Sequence, residues 1–426
     1  MSFFFLLIYI FMTIIRPQDW VAAFYNKPVV DILAGFTAFF LIFERAGRKG
    51  STSGFVRMPQ GGLMVGFFAS ILMSHIAHTY FGGLTDSFSR FLPTFILFFL
   101  LLNGINTERK FKVAVWLIIL LIVILVPQGI YQLEHGYGWA GQRITRQFEP
   151  DGSFIYRINW IGIFNDPNDL ALLFVVAVGF VLAFLFGRTR FFLRVFSLGI
   201  LGSLFYGIYL CNSRGGLVAL MTTAYFYFIK RTNKLFWGGL IGALVAFALF
   251  AAGPSRMALL NVEEESAYNR LDLWYEGVLM MKSNPIFGVG YRMFMEELPQ
   301  TAHNSFILAG AELGILGLFF WMALIWCSVK GLLIIQQNEK IGHDIKTYAL
   351  GLQSALVGFC AAAFFLSRTY VILPYILFAL SGSLMFVAKQ KDNEIDFAFH
   401  AKDAWISLGL SVGIITLAYI LIKIGL

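Results

Sequence analysis

The sequence predicts an all-α, polytopic integral membrane protein with twelve to thirteen transmembrane helices and one large outer loop. Three observations carry that prediction. Of the 426 residues 58% are apolar, 17% aromatic and only 13% charged, with a mean hydropathy of +0.75, far above what a soluble domain shows. Its apolar runs approach the roughly 20 residues that cross a bilayer as a helix. Finally, those runs lack the alternation of barrel strands, and lipid offers backbone amides no partner outside a helix.

Taken in order, spans are expected near 2–15, 28–43, 62–79, 91–105, 113–131, 168–186, 195–212, 216–229, 235–253, 305–329, 347–366, 370–388 and 404–424. Several are shorter than about 20 residues and need flanking loop residues to complete them. The first has no basic leader and no small-residue cleavage site, so it is expected to be a retained span. With an inner amino terminus, the loops 44–61, 105–112, 187–194, 230–234, 330–346 and 389–403 each carry three or four Lys plus Arg, the loading expected of a cytoplasmic face. The opposite face receives the long loops 132–167 and 254–302. Its basic residues are 10 Arg and 3 Lys, against 8 Arg and 11 Lys inside. Orientation alone does not distinguish the two side chains, but bidentate grip on phosphate oxygens favours Arg. The +8 net charge therefore has two sources, orientation and anion binding, and no nucleic-acid partner is expected. Residues 1–426 read as a single membrane domain without a soluble module, linker or evident repeat.

The candidate chemistry lies on the outer side, around the stretch 253–317. Arg214, in Ser213-Arg214-Gly215-Gly216, sits between two apolar runs with almost no loop. It is either a snorkelling anchor or an anion ligand; the adjoining Ser and glycines, which admit close backbone approach, favour the ligand. Arg270 lies in an amphipathic helix expected over 266–274, with Tyr268 beside it and Trp274 one turn on. A guanidinium and a ring on one helix face suit a lipid headgroup or a sugar, and they suit ordinary interfacial anchoring equally. His303 opens the apolar helix that starts at Asn304. The positive end of the helix dipole disfavours imidazolium, leaving the neutral form a general base requires. Gly310, Gly314 and Gly317 on that helix predict close packing by another helix, and Glu312 is either a buried hydrogen-bond partner or a site residue, with the structural role favoured.

Asn165-Asp166-Pro167-Asn168-Asp169 reads as a turn that caps the next span, as does the loop at Ser283-Asn284-Pro285. Asp166 and Asp169 could in principle be metal ligands, but no outer Asp-x-Asp pair or His-rich cluster supports a preformed divalent site, so no metal site is expected. The cysteines at 211, 327 and 360 lie in or beside apolar runs and predict neither disulfides nor zinc. No phosphate-binding lysine loop, serine elbow or dinucleotide fingerprint is present.

Together Asn165-x-Pro-Asn-x-Leu-Ala, Ser213-Arg214-Gly215, Arg270 with Trp274, Asn284-Pro285-x-x-Gly288-x-Gly290, and His303-Asn304 followed by Gly314-x-x-Gly317 resemble the O-antigen ligase family, over roughly residues 160–385. That family is related to O-antigen polymerases and to some protein O-oligosaccharyltransferases, membrane glycosyltransferases of the bacterial inner membrane with a periplasmic site. The resemblance implies a polyprenyl (undecaprenyl) diphosphate-linked glycan as donor and a glycan, lipid or protein hydroxyl as acceptor, with no metal or other cofactor. It implies that Arg214 and Arg270 grip the diphosphate and that His303 activates the hydroxyl, with Asn165, Asn168, Ser213, Tyr268, Trp274 and Asn304 around the substrate. A polymerase acting on lipid-linked repeats is the near alternative. A flippase for lipid-linked glycan is a more distant one, because no inverted repeat or mid-span polar cluster is evident.

Overall fold

The computed structural model describes residues 1–25, 27–46, 58–148, 154–188, 190–232 and 265–425, with single positions at 56, 237, 240 and 244; side chains at 265–269 fall outside that description. Fourteen α-helices are present among the described residues. The first five are α1 (Ser2–Ile14), α2 (Val29–Ala46), α3 (Met58–Ile76), α4 (Phe81–Gly104) and α5 (Glu108–His135). After a short hairpin come α6 (Pro167–Phe186), α7 (Phe191–Cys211) and α8 (Arg214–Thr232). Then follow α9 (Glu265–Ser283), the one-turn α10 (Phe294–Glu297), α11 (Ser305–Gln337), α12 (His343–Ala363), α13 (Ile372–Lys391) and α14 (Ala401–Gly425).

Twelve of the thirteen expected spans coincide with helices, α1 to α8 and α11 to α14, and the expected span 235–253 lies outside the described residues. Eight of these helices are long and apolar enough to cross a bilayer. The chain is a multi-pass α-helical membrane protein. Helices α6 and α13 form its centre, each 83% buried along its most apolar stretch, whereas α14 is 22% buried and lies at the edge. The crossing of α6 and α12 is close because both are glycine there. A Cβ at Gly179 would come within 2.8 Å of the Ala355 nitrogen, and one at Gly351 within 2.9 Å of the Phe180 Cα.

Helix α11 runs beyond the expected end at residue 329. Lys330, which ends the apolar run, pairs at 2.7 Å with Asp403 of α14. The charge is met inside the bundle, so the helix need not stop. Nor does the glycine series in α11 act as a helix-packing stripe throughout. Gly314 has φ +63° and ψ −165°, which breaks the helix, and the chain 285–290 fills the gap. There the amide of Ile315 donates to the Pro285 carbonyl at 2.8 Å, while those of Val289 and Gly290 donate to the carbonyls of Ala311 and Glu312 at 2.9 and 3.0 Å. Side chains are excluded on both sides of this joint. A Cβ at Gly314 would lie 2.3 Å from the Ile286 carbonyl oxygen, and one at Gly288 (φ +68°) would lie 2.3 Å from the Glu312 carbonyl carbon. Two separate sequence motifs are thus the two halves of one contact.

Between α5 and α6 the antiparallel strands β1 (Thr145–Phe148) and β2 (Phe154–Arg157) pair in the register Thr145 to Arg157. Their return to the bundle is fixed by buried amides. Gln132 accepts from the Asn159 backbone amide at 2.9 Å, Gln128 donates to the Asn159 carbonyl at 3.1 Å, and the Asn159 side chain donates to Asn165.

Candidate functional site

The site is assembled at one end of the bundle, where the loop before α11, the α12–α13 loop and the start of α6 meet. Asn304 is the N-cap of α11; its Oδ1 accepts from the amides of Phe306 and Ile307 at 2.9 and 3.2 Å. This satisfies two of the helix's otherwise unpaired amides. The other half of the same side chain, Nδ2, is buried without a partner. One residue earlier His303 is held at φ +49°. A left-handed conformation costs an ordinary residue about 1–2 kcal/mol, so packing must hold it there.

That packing comes from the α12–α13 loop. The Ser305 hydroxyl donates to the Leu366 carbonyl at 2.5 Å and accepts from the Arg368 amide at 2.7 Å. Thr369 donates to the Ser305 carbonyl at 2.7 Å, and Thr301 donates to the Ser367 hydroxyl at 2.8 Å. These bonds bring Arg368 beside His303. The Arg368 guanidinium is in turn clamped from α6: Nη2 donates to Asp166 at 2.7 Å, and Nε pairs with Asp169. Asp166 does two jobs at once, since its other oxygen caps α6 by accepting from the Asn168 amide at 2.8 Å.

His303 is half-buried, and its imidazole is held below the usual histidine value. Burial is the main cause, followed by the positive charges of Arg270 and Arg368; Asp166 opposes them. The neutral ring expected from the helix dipole is therefore favoured by desolvation and two guanidinium groups. Arg270, on α9, is partly buried and near enough to act on the imidazole. Arg214 opens α8 and is also partly buried. The preceding Ser213 donates to the Asn168 Oδ1 at 2.6 Å and accepts from the Gly216 amide at 3.0 Å. Asn168 receives a second bond, from Arg157 Nη2 at 2.9 Å, while Arg157 Nε donates to the Cys211 carbonyl at 3.0 Å. Asn168 and Ser213 are thus joined by a hydrogen bond that ties the starts of α6 and α8 together, while Asn165 accepts from the Asn159 side chain.

Trp274 is 5% exposed, and its ring meets Phe364 edge-on at 5.3 Å. The indole packs into the bundle, so sharing a helix face with Arg270 does not place it on an open surface. The Tyr268 side chain lies outside the described residues. Glu312 is 2% exposed, and its Oε1 accepts from the Phe294 amide at 3.2 Å, which anchors the 291–297 segment to α11. Among the described residues no group of three or more His, Cys, Asp or Glu is placed to hold a metal ion.

Arg368 is the residue that reading the sequence missed. The signal was there: Ser367-Arg368-Thr369 is a short polar turn between two apolar runs, of the same kind as Ser213-Arg214-Gly215.

Residues 199–322 match a family model described as O-Antigen ligase. The matched stretch contains Arg214, Arg270, His303 and the Gly288–Gly314 joint, and it ends before Arg368. It supports assignment to the O-antigen ligase family and, with it, a ligase- or polymerase-type membrane glycosyltransferase. No curated protein matches the chain.

Proposed function

We propose, from that family match and the geometry around His303, that the chain transfers a glycan from a polyprenyl diphosphate carrier to an acceptor hydroxyl. The observation that carries the reading is an imidazole kept uncharged by burial and by two neighbouring guanidinium groups at the start of α11. A neutral imidazole accepts the proton of the acceptor hydroxyl, and the oxygen attacks the anomeric carbon as the bond to the diphosphate breaks. The leaving diphosphate is already anionic, so fixed cations are the main requirement, and Arg270 and Arg214 supply them. Asn304 fixes the start of α11 through its Oδ1, and Trp274 supports the helix that carries Arg270. Arg368 is already paired, so it serves to position the His303 loop and to keep the ring neutral.

The site end of the bundle faces the periplasm of a bacterial inner membrane in this reading; support comes from the Lys-rich short loops at the other end. Those loops hold the ion pairs Lys112–Asp344 at 2.6 Å and Lys391–Glu108 at 3.5 Å. No metal takes part in the scheme, and a single displacement inverts the anomeric centre. The test is to incubate purified protein with a lipid-diphosphate glycan and candidate acceptors in chelator, then to identify the product by mass and anomeric configuration. Transfer with inversion is expected, whether to a second lipid-linked glycan or to another acceptor. Retention would overturn the single displacement, and absence of transfer together with vesicle transport would favour a flippase.

A further inference from the structure

The β1–β2 hairpin is amphipathic in the reverse sense to a sheet that turns one face to water. Such a sheet points apolar side chains inward and polar ones outward. Here the inward positions are Thr145, Gln147, Ile155 and Arg157, three of them polar, and the outward ones are Arg146, Phe148, Phe154 and Tyr156. Phe148 and Phe154 face each other across the strands with ring centroids 5.4 Å apart, and the Arg146 guanidinium lies over the Tyr156 ring at 5.7 Å. The three outward rings are 64%, 57% and 47% exposed, and Tyr137 and Trp139 in the loop leading to β1 are 48% and 43% exposed. A group of bared rings of this kind marks an interaction surface.

Beside that face opens a cavity of about 610 Å³, lined by His135 and Tyr137 at the end of α5 and by Arg143 and Arg146. No acidic side chain is among the described residues that line it, and among the described residues neither guanidinium forms an ion pair. The loop is shaped to hold Arg143 there. Gly136, at φ +80°, ends α5, and the chain doubles back so that the Ile144 amide donates to the Gly136 carbonyl at 3.0 Å and the Gly138 amide to the Gln142 carbonyl at 2.8 Å. Two guanidinium groups without countercharge suit a phosphate, whose oxygens they meet in pairs.

The position of the hairpin selects the source of that phosphate. Helix α5 has 28 residues, about 42 Å at 1.5 Å per residue, so it runs through the hydrocarbon and ends in the headgroup layer. The return strand is held at the same level, because the Ile158 amide donates to the Leu210 carbonyl in the last turn of α7 at 3.2 Å. Aromatic rings with arginines at this depth match the chemistry of the headgroup layer, with the rings in the acyl boundary and the cations among the phosphates. We propose that the cavity beneath Arg143 and Arg146 binds the phosphate of an anionic phospholipid, with the aromatic face of the hairpin seated in the headgroup layer. A zwitterionic lipid brings its own cation beside the phosphate and gains less from the two arginines. Neither this site nor its test draws on the transferase reading.

The test measures the affinity of the purified full chain in detergent for phosphatidylglycerol and for phosphatidylcholine by native mass spectrometry. Phosphatidylglycerol is expected to bind more tightly. A basic residue near an anionic surface contributes about fivefold, so Arg143→Gln with Arg146→Gln should weaken phosphatidylglycerol about 25-fold and leave phosphatidylcholine nearly unchanged. Lys389→Gln with Lys402→Gln removes the same charge from the other end of the bundle and should leave phosphatidylglycerol affinity near the wild-type value. Equal affinity for the two lipids, wild-type affinity in the arginine variant, or an equal loss in the lysine variant would overturn the site. Tighter binding of a polyprenyl diphosphate to the same arginines would also overturn it, by making them donor ligands. Independently, a photoreactive benzophenone side chain in place of Phe154, irradiated in native membranes, should yield a phospholipid adduct by mass. An adduct with another protein, or none, would overturn the seating of the hairpin in the bilayer.

Discussion

Replacing Arg368 by Gln separates what this residue contributes to stability from what it contributes to chemistry. The guanidinium is 14% exposed and bridges two carboxylates, Asp169 at 13% exposure and Asp166 at 41%. Losing a buried partner strands a charge and costs about 3–5 kcal/mol, whereas the more exposed arm contributes about 0–1 kcal/mol. Arg368→Gln is therefore expected to destabilise by about 3–5 kcal/mol, nearly all of it through Asp169. Adding Asp169→Asn removes the stranded charge and should return most of that stability, read as thermal unfolding in detergent. Activity should not return with it. The double variant lacks one of the two cations that add to burial in keeping His303 neutral, and with it the residue that steadies its loop, so transfer should stay about 10–100-fold low, as for a misplaced catalytic group. The acid limb of its kcat/KM profile should also move to higher pH, because removing a positive neighbour raises the imidazole pKa. If the double variant regains wild-type transfer and an unshifted acid limb, Arg368 is a structural tie only, and its role beside His303 is refuted.

Other consequences can be checked with the same assays. His303→Ala should insert and bind donor normally while losing about 10²- to 10⁴-fold in rate, and near-normal turnover would show that it is not the base. In the unaltered enzyme the imidazole is held below its ordinary value, so kcat/KM should be flat through neutrality and fall only on acidification below the usual histidine range. Arg270→Ala should weaken both donor binding and turnover, with partial recovery in Arg270→Lys, because the ammonium keeps the charge but not the planar fork. It should also move the acid limb upward; normal binding and turnover would return residue 270 to a plain interfacial role. Gly314→Ala places a Cβ 2.3 Å from the Ile286 carbonyl at φ +63°. The backbone and steric terms of about 1–3 kcal/mol each should lower the unfolding temperature clearly, and an unchanged melt would refute the account of the joint.

Composition and the spacing of apolar runs determined the class of this protein and located twelve helices. Both are properties of each segment against lipid, where every span must satisfy its own backbone. They also drew attention to Arg214 and His303 as polar groups at the edges of apolar runs, and to Arg270 within the long outer loop. Arg368 carried the same kind of signal but became part of the site only once Ser305 and Thr369 were seen to tie its loop to the start of α11. Asp166 and Asp169 looked like a turn with weak metal potential, and their role as a clamp depends on a residue about 200 positions away. Trp274 shares a helix face with Arg270 by spacing, yet which way that face turns is set by Phe364. The break at Gly314 was hidden for a related reason. Glycine is compatible with both a packed helix and a left-handed kink, and only the arrival of the 285–290 chain selects the kink. What tertiary structure decided was pairing between distant segments, because the energy of each such contact belongs to two stretches of sequence and is written in neither alone.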